Sequence, residues 1–284
     1  MILPTVAEMS VFFIVVIGLF GLLIGSFLNV VVYRVPNGMS LVRPPSACPN
    51  CKHEIKPYDN IPVLSWLFLR GSCRNCKNPI SARYPLVEAG TAIFFALAAA
   101  FLPETLGWQF AQTTALVASI LQALAFLYLV AITVALALID LDTHTLPNSI
   151  VLPGYFVAAA LFATASVLEG DYAGLARAGI AGAGLFALYL VLALVRPGGM
   201  GFGDVKLAGV IGLYLGWTGW GALAVGGFAA FVLGGIYGVV VMIARRSGRK
   251  TGIPFGPWML AGAWIGVFFG NQLWNGYLSI LGLG

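Results

Sequence analysis

Eight stretches of this chain are apolar over a length that restricts its fold more than any other feature: 10–32, 86–102, 113–139, 150–168, 174–195, 205–216, 221–243 and 254–275. A helix crosses the roughly 30 Å hydrocarbon core of a bilayer in about 20 apolar residues. Inside that core every backbone N–H and C=O must find its partner within the protein. Repeated through 284 residues, such runs predict an all-α polytopic membrane protein of about eight transmembrane helices. The sixth run is short and Gly-rich. Charge content agrees: Asp, Glu, Lys and Arg make up 9% of the chain, against about 25% in a soluble domain with a solvated surface. Soluble enzymes, secreted disulfide scaffolds and disordered modules are thereby excluded. The net charge of +5 does not argue for nucleic acid. The first run exceeds the roughly 7–15 apolar residues of a cleavable signal peptide, and nothing basic precedes it, so it is read as a lasting helix.

Short loops rich in Lys and Arg stay on the cytoplasmic side. With the N-terminus outside, Arg34, Arg43, Lys52, Lys56, Arg70, Arg74, Lys77 and Arg83 fall inside. So do Arg196, Lys206, Arg245, Arg246, Arg249 and Lys250, which leaves Arg177 alone near the outer face. The outer loops carry Glu8, Glu104, Glu169 and Asp171. The chain then divides into a first transmembrane helix (1–32), a cytoplasmic insert (33–85) and a multi-helix membrane domain (86–284). No internal repeat is legible.

The insert holds all four cysteines, as Cys48-Pro-Asn-Cys51 and Cys73-Arg-Asn-Cys76. Two C-x-x-C knuckles can offer a single ion the four thiolates that structural Zn²⁺ takes. A segment of about 50 residues buries too little apolar surface to fold alone, so a metal staple is expected. The competing reading is a pair of redox disulfides, but the cytoplasm keeps thiols reduced. His53 could replace a sulfur, although a solvated loop histidine is the simpler reading.

Ionisable side chains at membrane depth are costly and point to function. Asp140 and Asp142 close the third run, and Asp204 opens the sixth after a stretch bearing Gly198, Gly199, Gly201 and Gly203. A polar helix terminus and an N-cap are the plain alternatives. A carboxylate at a helix C-terminus, however, faces the negative end of the dipole, and the glycines suit close approach of another chain. Both ends face the cytoplasm in this topology, so the acids can meet. Two converging carboxylates share one proton, one serving as base and the other as acid. That is the chemistry of aspartic proteolysis.

These residues, taken in order, resemble the type IV prepilin peptidase family of bacterial inner-membrane aspartic enzymes. The landmarks run from Gly25-Ser-Phe-Leu-Asn through Arg34-Val-Pro36, the two cysteine pairs, Asp59-Asn-Ile-Pro-Val-Leu-Ser-Trp66 and Ile80–Glu88. They continue with Ile139-Asp140, Leu146-Pro147, Gly201-Phe-Gly-Asp204-Val-Lys206 and Pro254-Phe-Gly-Pro257. The resemblance implies that Asp140 and Asp204 are the catalytic pair, with Asp142 outside it. Gly201, Gly203 and Lys206 then belong to a substrate-access loop. The implied substrates are prepilins and type II secretion pseudopilins, each with a basic leader, a Gly before the cut and Phe after it. Cleavage would occur at the cytoplasmic membrane face. The insert implies a second activity, N-methylation of the new N-terminal residue with S-adenosylmethionine. Membrane lipid would surround the enzyme, and pilus or secretion assembly machinery would depend on it indirectly. Two positions depart from the family pattern: Asn148 where Asp is usual, and Ala89-Gly90-Thr91-Ala92 where Leu-Leu-Thr-Gly is common. Other readings are a peptidase whose insert is only scaffold, a transporter with acids along an ion path, and a membrane thiol oxidoreductase. The transporter would carry its acids mid-helix, and the oxidoreductase would need its cysteines on the oxidising side.

Overall fold

Each of the eight apolar runs forms a helix. A computed structural model of the chain describes residues 6–107, 112–195, 200–245 and 254–282. Its helices are α1 (Val6–Arg34), α2 (Leu64–Phe68), α3 (Arg83–Thr105), α4 (Thr113–Thr143), α5 (Asn148–Glu169), α6 (Tyr172–Val195), α7 (Phe202–Thr218), α8 (Trp220–Arg245) and α9 (Gly256–Ile280). Among the described residues there is no β-strand beyond two isolated bridges in the insert. Among the described residues six helices, α1, α3, α4, α5, α6 and α8, are long and apolar enough to cross a membrane. Length and composition alone thus support six of the expected eight. α7 has 17 residues, and α9 carries Asn271, Gln272 and Asn275. Gly198, Gly199, Arg196, Arg246, Arg249 and Lys250 lie outside the described residues.

The chain forms two compact units, Met1–Ala100 and Phe101–Gly284. In the first, α1 and α3 approach so closely that a Cβ on Gly25 would lie 2.7 Å from Glu88 Cα. Bond by bond, the motif residues hold the insert to these helices. Arg34, buried, donates to the carbonyls of Ser40 at 2.8 Å and Pro44 at 2.7 Å. Glu88, also buried, accepts the Val63 N–H at 2.7 Å, where Val63 holds φ 60°. Trp66 Nε1 donates to Ile80 O at 3.0 Å. A β-branched residue at positive φ is strained, and the Glu88 carboxylate is the partner that holds it there.

The second unit is built on small residues that let helices touch. A Cβ on Gly212 of α7 would lie 2.6 Å from Ala181 O of α6, and one on Gly262 of α9 would lie 2.5 Å from Ala230 N of α8. At the centre, Phe162 stacks on Trp217 with ring centroids 4.5 Å apart, and Phe126 meets Tyr214 edge-on at 5.3 Å. Tyr214 donates to Ala125 O, and the neighbouring Trp264 donates to Thr133 Oγ1. α7 runs through this core and is buried over most of its length. It stops at Gly219, whose φ of 152° suits no L side chain. Arg177 reaches that end from α6, donating to Gly216 O at 2.6 Å and Trp217 O at 2.8 Å. The basic residue left over by the charge pattern is thus the C-terminal cap of α7.

Candidate active site and metal centre

Asp140 lies one turn from the end of α4 and is 4% exposed, whereas Asp142 is exposed. Residues two apart on a helix do not face each other, so only Asp140 turns inward. Its Oδ2 accepts the backbone N–H of Gly256 at 3.0 Å, which presents the N-terminus of α9 to the carboxylate. That positive end offsets the unfavourable one at the end of α4. Behind Asp140 the chain reverses through His144, left-handed at φ 54°, whose N–H closes α4 on Asp140 O at 2.9 Å. Pro147 then starts α5.

Asp204 occupies the third position of α7; its Oδ2 accepts the Gly201 N–H at 3.1 Å, and its own N–H donates to Gly201 O at 3.1 Å. The two carboxylates lie within electrostatic reach of each other, and Tyr189 of α6 lies within reach of Asp204. Leu146 packs between their supports. A Cβ on Gly203 would sit 3.0 Å from Leu146 Cβ, and one on Gly256 would sit 3.3 Å from Leu146 Cδ2 and 2.8 Å from Asp140 Oδ2. Gly201 adopts φ −76°, ψ 147°, a conformation open to any residue, so space rather than dihedral freedom distinguishes it. Lys206 donates to Asn148 Oδ1 at 2.9 Å and lies 5.2 Å from the centroid of the Phe202 ring. The departure at Asn148 therefore touches Lys206, two residues from Asp204. Leu146 and Gly256 were missed as site residues. Their motifs, Leu-Pro and Pro-Phe-Gly-Pro, stand out in the sequence without showing what they face.

In the insert, the Sγ atoms of Cys48, Cys51, Cys73 and Cys76 lie within 4.8 Å of one another. The Cys48–Cys76 separation is 3.7 Å. A tetrahedral S₄ site with bonds of about 2.3 Å has edges of about 3.8 Å, so the cluster fits a metal ion. His53 is not in the group; its carbonyl accepts the Cys48 N–H at 2.9 Å, and its backbone N–H reaches the Cys51 thiol. The knuckles repeat one another as Cys-x-Asn-Cys-Lys. Lys52 and Lys77 both turn through positive φ, at 58° and 60°. The asparagines cross over: Asn50 Nδ2 points to Cys76 Sγ and Asn75 Nδ2 to Cys51 Sγ. Backbone N–H of Asn78 lowers the Cys76 thiol to about 6, against a smaller opposing effect of burial and with help from Asn50. The thiolate is the ligand form, which this knuckle favours at Cys76. At Cys51 the His53 N–H pulls the thiol down, but burial and the neighbouring thiols together outweigh it and push the thiol up.

Residues 19–102 match the bacterial peptidase A24 N-terminal domain, and residues 127–239 match the type IV leader peptidase family. Proteins named prepilin leader peptidase/N-methyltransferase are similar over nearly the whole chain. The one from Pseudomonas putida is 34% identical over 95% of this chain and 96% of its own length. That from Aeromonas salmonicida strain A449 is 36% identical, covering 93% of each, and that from Pseudomonas aeruginosa is 35% identical, also covering 93% of each. The chain belongs to the type IV leader peptidase family. No solved structure matches it. The A24 N-terminal match of this leader peptidase family member contains the four cysteines, Arg34 and Glu88. The second match contains Asp140 and Asp204 but stops before Gly256.

Proposed function

We propose that this protein cleaves the leader peptide from prepilins and methylates the new N-terminal residue. One observation carries the reading: Asp140 and Asp204, from separate helices, converge on a single region, each anchored by a backbone N–H. Two carboxylates brought within about 3 Å of each other share a proton. The ionised carboxylate takes a proton from water as the water oxygen bonds to the scissile carbonyl carbon. The protonated partner gives its proton to the carbonyl oxygen. As the C–N bond breaks, the departing amine nitrogen takes the proton first removed from water, and a hydroxyl of the gem-diol returns its proton to the partner carboxylate as the carbonyl re-forms. Asp142 takes no part, because it faces away.

The finer terms belong to the same proposal. Pseudopilins share the substrate class, the membrane is the bacterial inner membrane, and the aspartates open to its cytoplasmic face because the basic loops stay inside. Residues 33–85 form a zinc insert held by Cys48, Cys51, Cys73 and Cys76, between the first helix and a membrane peptidase domain of residues 86–284. Four thiolates leave no open position for water, so the ion is structural. S-adenosylmethionine supplies the methyl group. Gly201, Gly203 and Lys206 border the path of the leader to Asp204. The test is incubation of purified protein in detergent with a prepilin, with and without S-adenosylmethionine, following cleavage and methyl transfer by mass spectrometry. Cleavage by an enzyme carrying both Asp140→Asn and Asp204→Asn would refute the reading.

A further inference from the structure

We propose that Leu146 is a positioning residue that sets the separation of the Asp140 and Asp204 carboxylates. The inference rests on the reading of those aspartates as the catalytic pair. Leu146 sits on the reversal between α4 and α5, and little in that reversal is free to move. His144 N–H bonds Asp140 O at 2.9 Å, Thr143 Oγ1 bonds Ile139 O at 2.8 Å, and the hydroxyls of Thr143 and Thr145 meet at 2.7 Å. On the far side Ile150 N–H bonds Pro147 O at 3.0 Å.

From this fixed base the side chain fills the gap between two other elements. Leu146 Cβ and Cδ1 would lie 3.0 and 3.5 Å from a Cβ on Gly203, and Cδ2 would lie 3.3 Å from a Cβ on Gly256. Each glycine is the immediate support of one carboxylate: Gly203 precedes Asp204, and Gly256 donates to Asp140 Oδ2. Neither has a Cβ, so the leucine carbons rest close to both backbones and act as the spacer between them. A carboxylate pair works only at short range, about 3 Å in aspartic proteases, and a misplacement of about 1 Å can cost on the order of 100-fold in rate. Leu146 is only half-buried. Ordinary packing at a loop would affect stability alone, whereas a spacer also changes how strongly the carboxylates couple.

That difference is the test. Full-length Leu146→Ala and Leu146→Met, purified in detergent, are assayed for prepilin cleavage across pH beside wild type, with thermal unfolding measured on the same samples. Leu146→Ala is expected to lower kcat about tenfold or more with KM within about twofold. The two limbs of its pH–rate profile should draw together, because weaker interaction brings the pair's macroscopic pKa values closer. Leu146→Met, which conserves volume, should keep kcat within about threefold and the wild-type profile. If Leu146→Ala does not accumulate, Leu146→Val, which also lacks the δ carbons, replaces it. A truncated variant with the wild-type profile, fully active or merely less stable, overturns the proposal. Asp140→Asn and Asp204→Asn run in the same assay. If both still cleave, the aspartate reading falls and takes this inference with it; if both are inert and the leucine variants keep the wild-type profile, the inference falls alone.

Discussion

The Gly256 N–H donates to Asp140 Oδ2 at 3.0 Å across 116 residues of chain. A Cβ on Gly256 would lie 2.8 Å from that same oxygen. The start of α9 therefore both binds the carboxylate and leaves no room for it to shift toward the backbone. Gly256→Ala should lower kcat for prepilin cleavage about tenfold or more while the protein stays folded. Gly90→Ala, where an added Cβ meets nothing within 4 Å, serves as the control and should cleave normally. Equal activity of the two variants would show that the Gly256 contact is irrelevant to cleavage.

The two buried-side acids should differ sharply from their exposed neighbour. Asp140→Asn and Asp204→Asn each remove one member of the proton-sharing pair and should cut cleavage by about a thousandfold or more. Asp142→Asn should stay within a few-fold of wild type, since Asp142 is exposed and turned away. Membrane insertion should be unchanged in all three. Loss of activity in Asp142→Asn with retention in Asp140→Asn would reverse the assignment.

Gly203→Val should stop processing, because even a Cβ there would lie 3.0 Å from Leu146 Cβ and two further methyls would press on the same reversal. Replacing the Gly before the cut in a model prepilin with Val should have the same effect by crowding the extended leader. Gel-shift analysis of cleavage checks both. Normal processing of the altered prepilin would show that steric access does not set specificity.

The insert should retain about one Zn²⁺ per chain, and ligand binding is then part of its folding free energy. Cys48→Ser or Cys76→Ser should lower the bound zinc and open residues 33–85 to limited proteolysis. Metal analysis of the active enzyme is the check; active protein without zinc would end the idea.

Arg177 bonds two terminal carbonyls of α7. Removing a charged donor from such a site costs about 1–3 kcal/mol, so Arg177→Met should lower the unfolding temperature in detergent. Arg177→Lys should recover only part, because an ammonium cannot reproduce the guanidinium fork. Reporter fusions should show the topology unchanged, since the residue caps a helix and does not orient the chain.

Much was legible from local chemistry. Run length and apolarity placed α1 and α3 to α9, because backbone hydrogen bonding in a bilayer leaves few alternatives. The spacing of Cys48, Cys51, Cys73 and Cys76 anticipated a single four-sulfur cluster, since a knuckle is made by five consecutive residues. Asp140 and Asp204 stood out because charge is rare where they sit. What depends on distant parts of the chain could not be read that way. Arg177 looked like a charge on the wrong side until α7 brought its carbonyls to it. Val63 showed no sign of positive φ without Glu88. The motifs of Gly256 and Leu146 are visible in sequence but not what they face, and only packing of α4, α7 and α9 brings them against Asp140 and Gly203. The sequence by itself determined which residues carry charge, sulfur and apolar surface, because those are properties of side chains. Tertiary structure decided which carboxylate is turned inward, what holds it and how far it stands from its partner, because those distances exist only once separate helices are in contact.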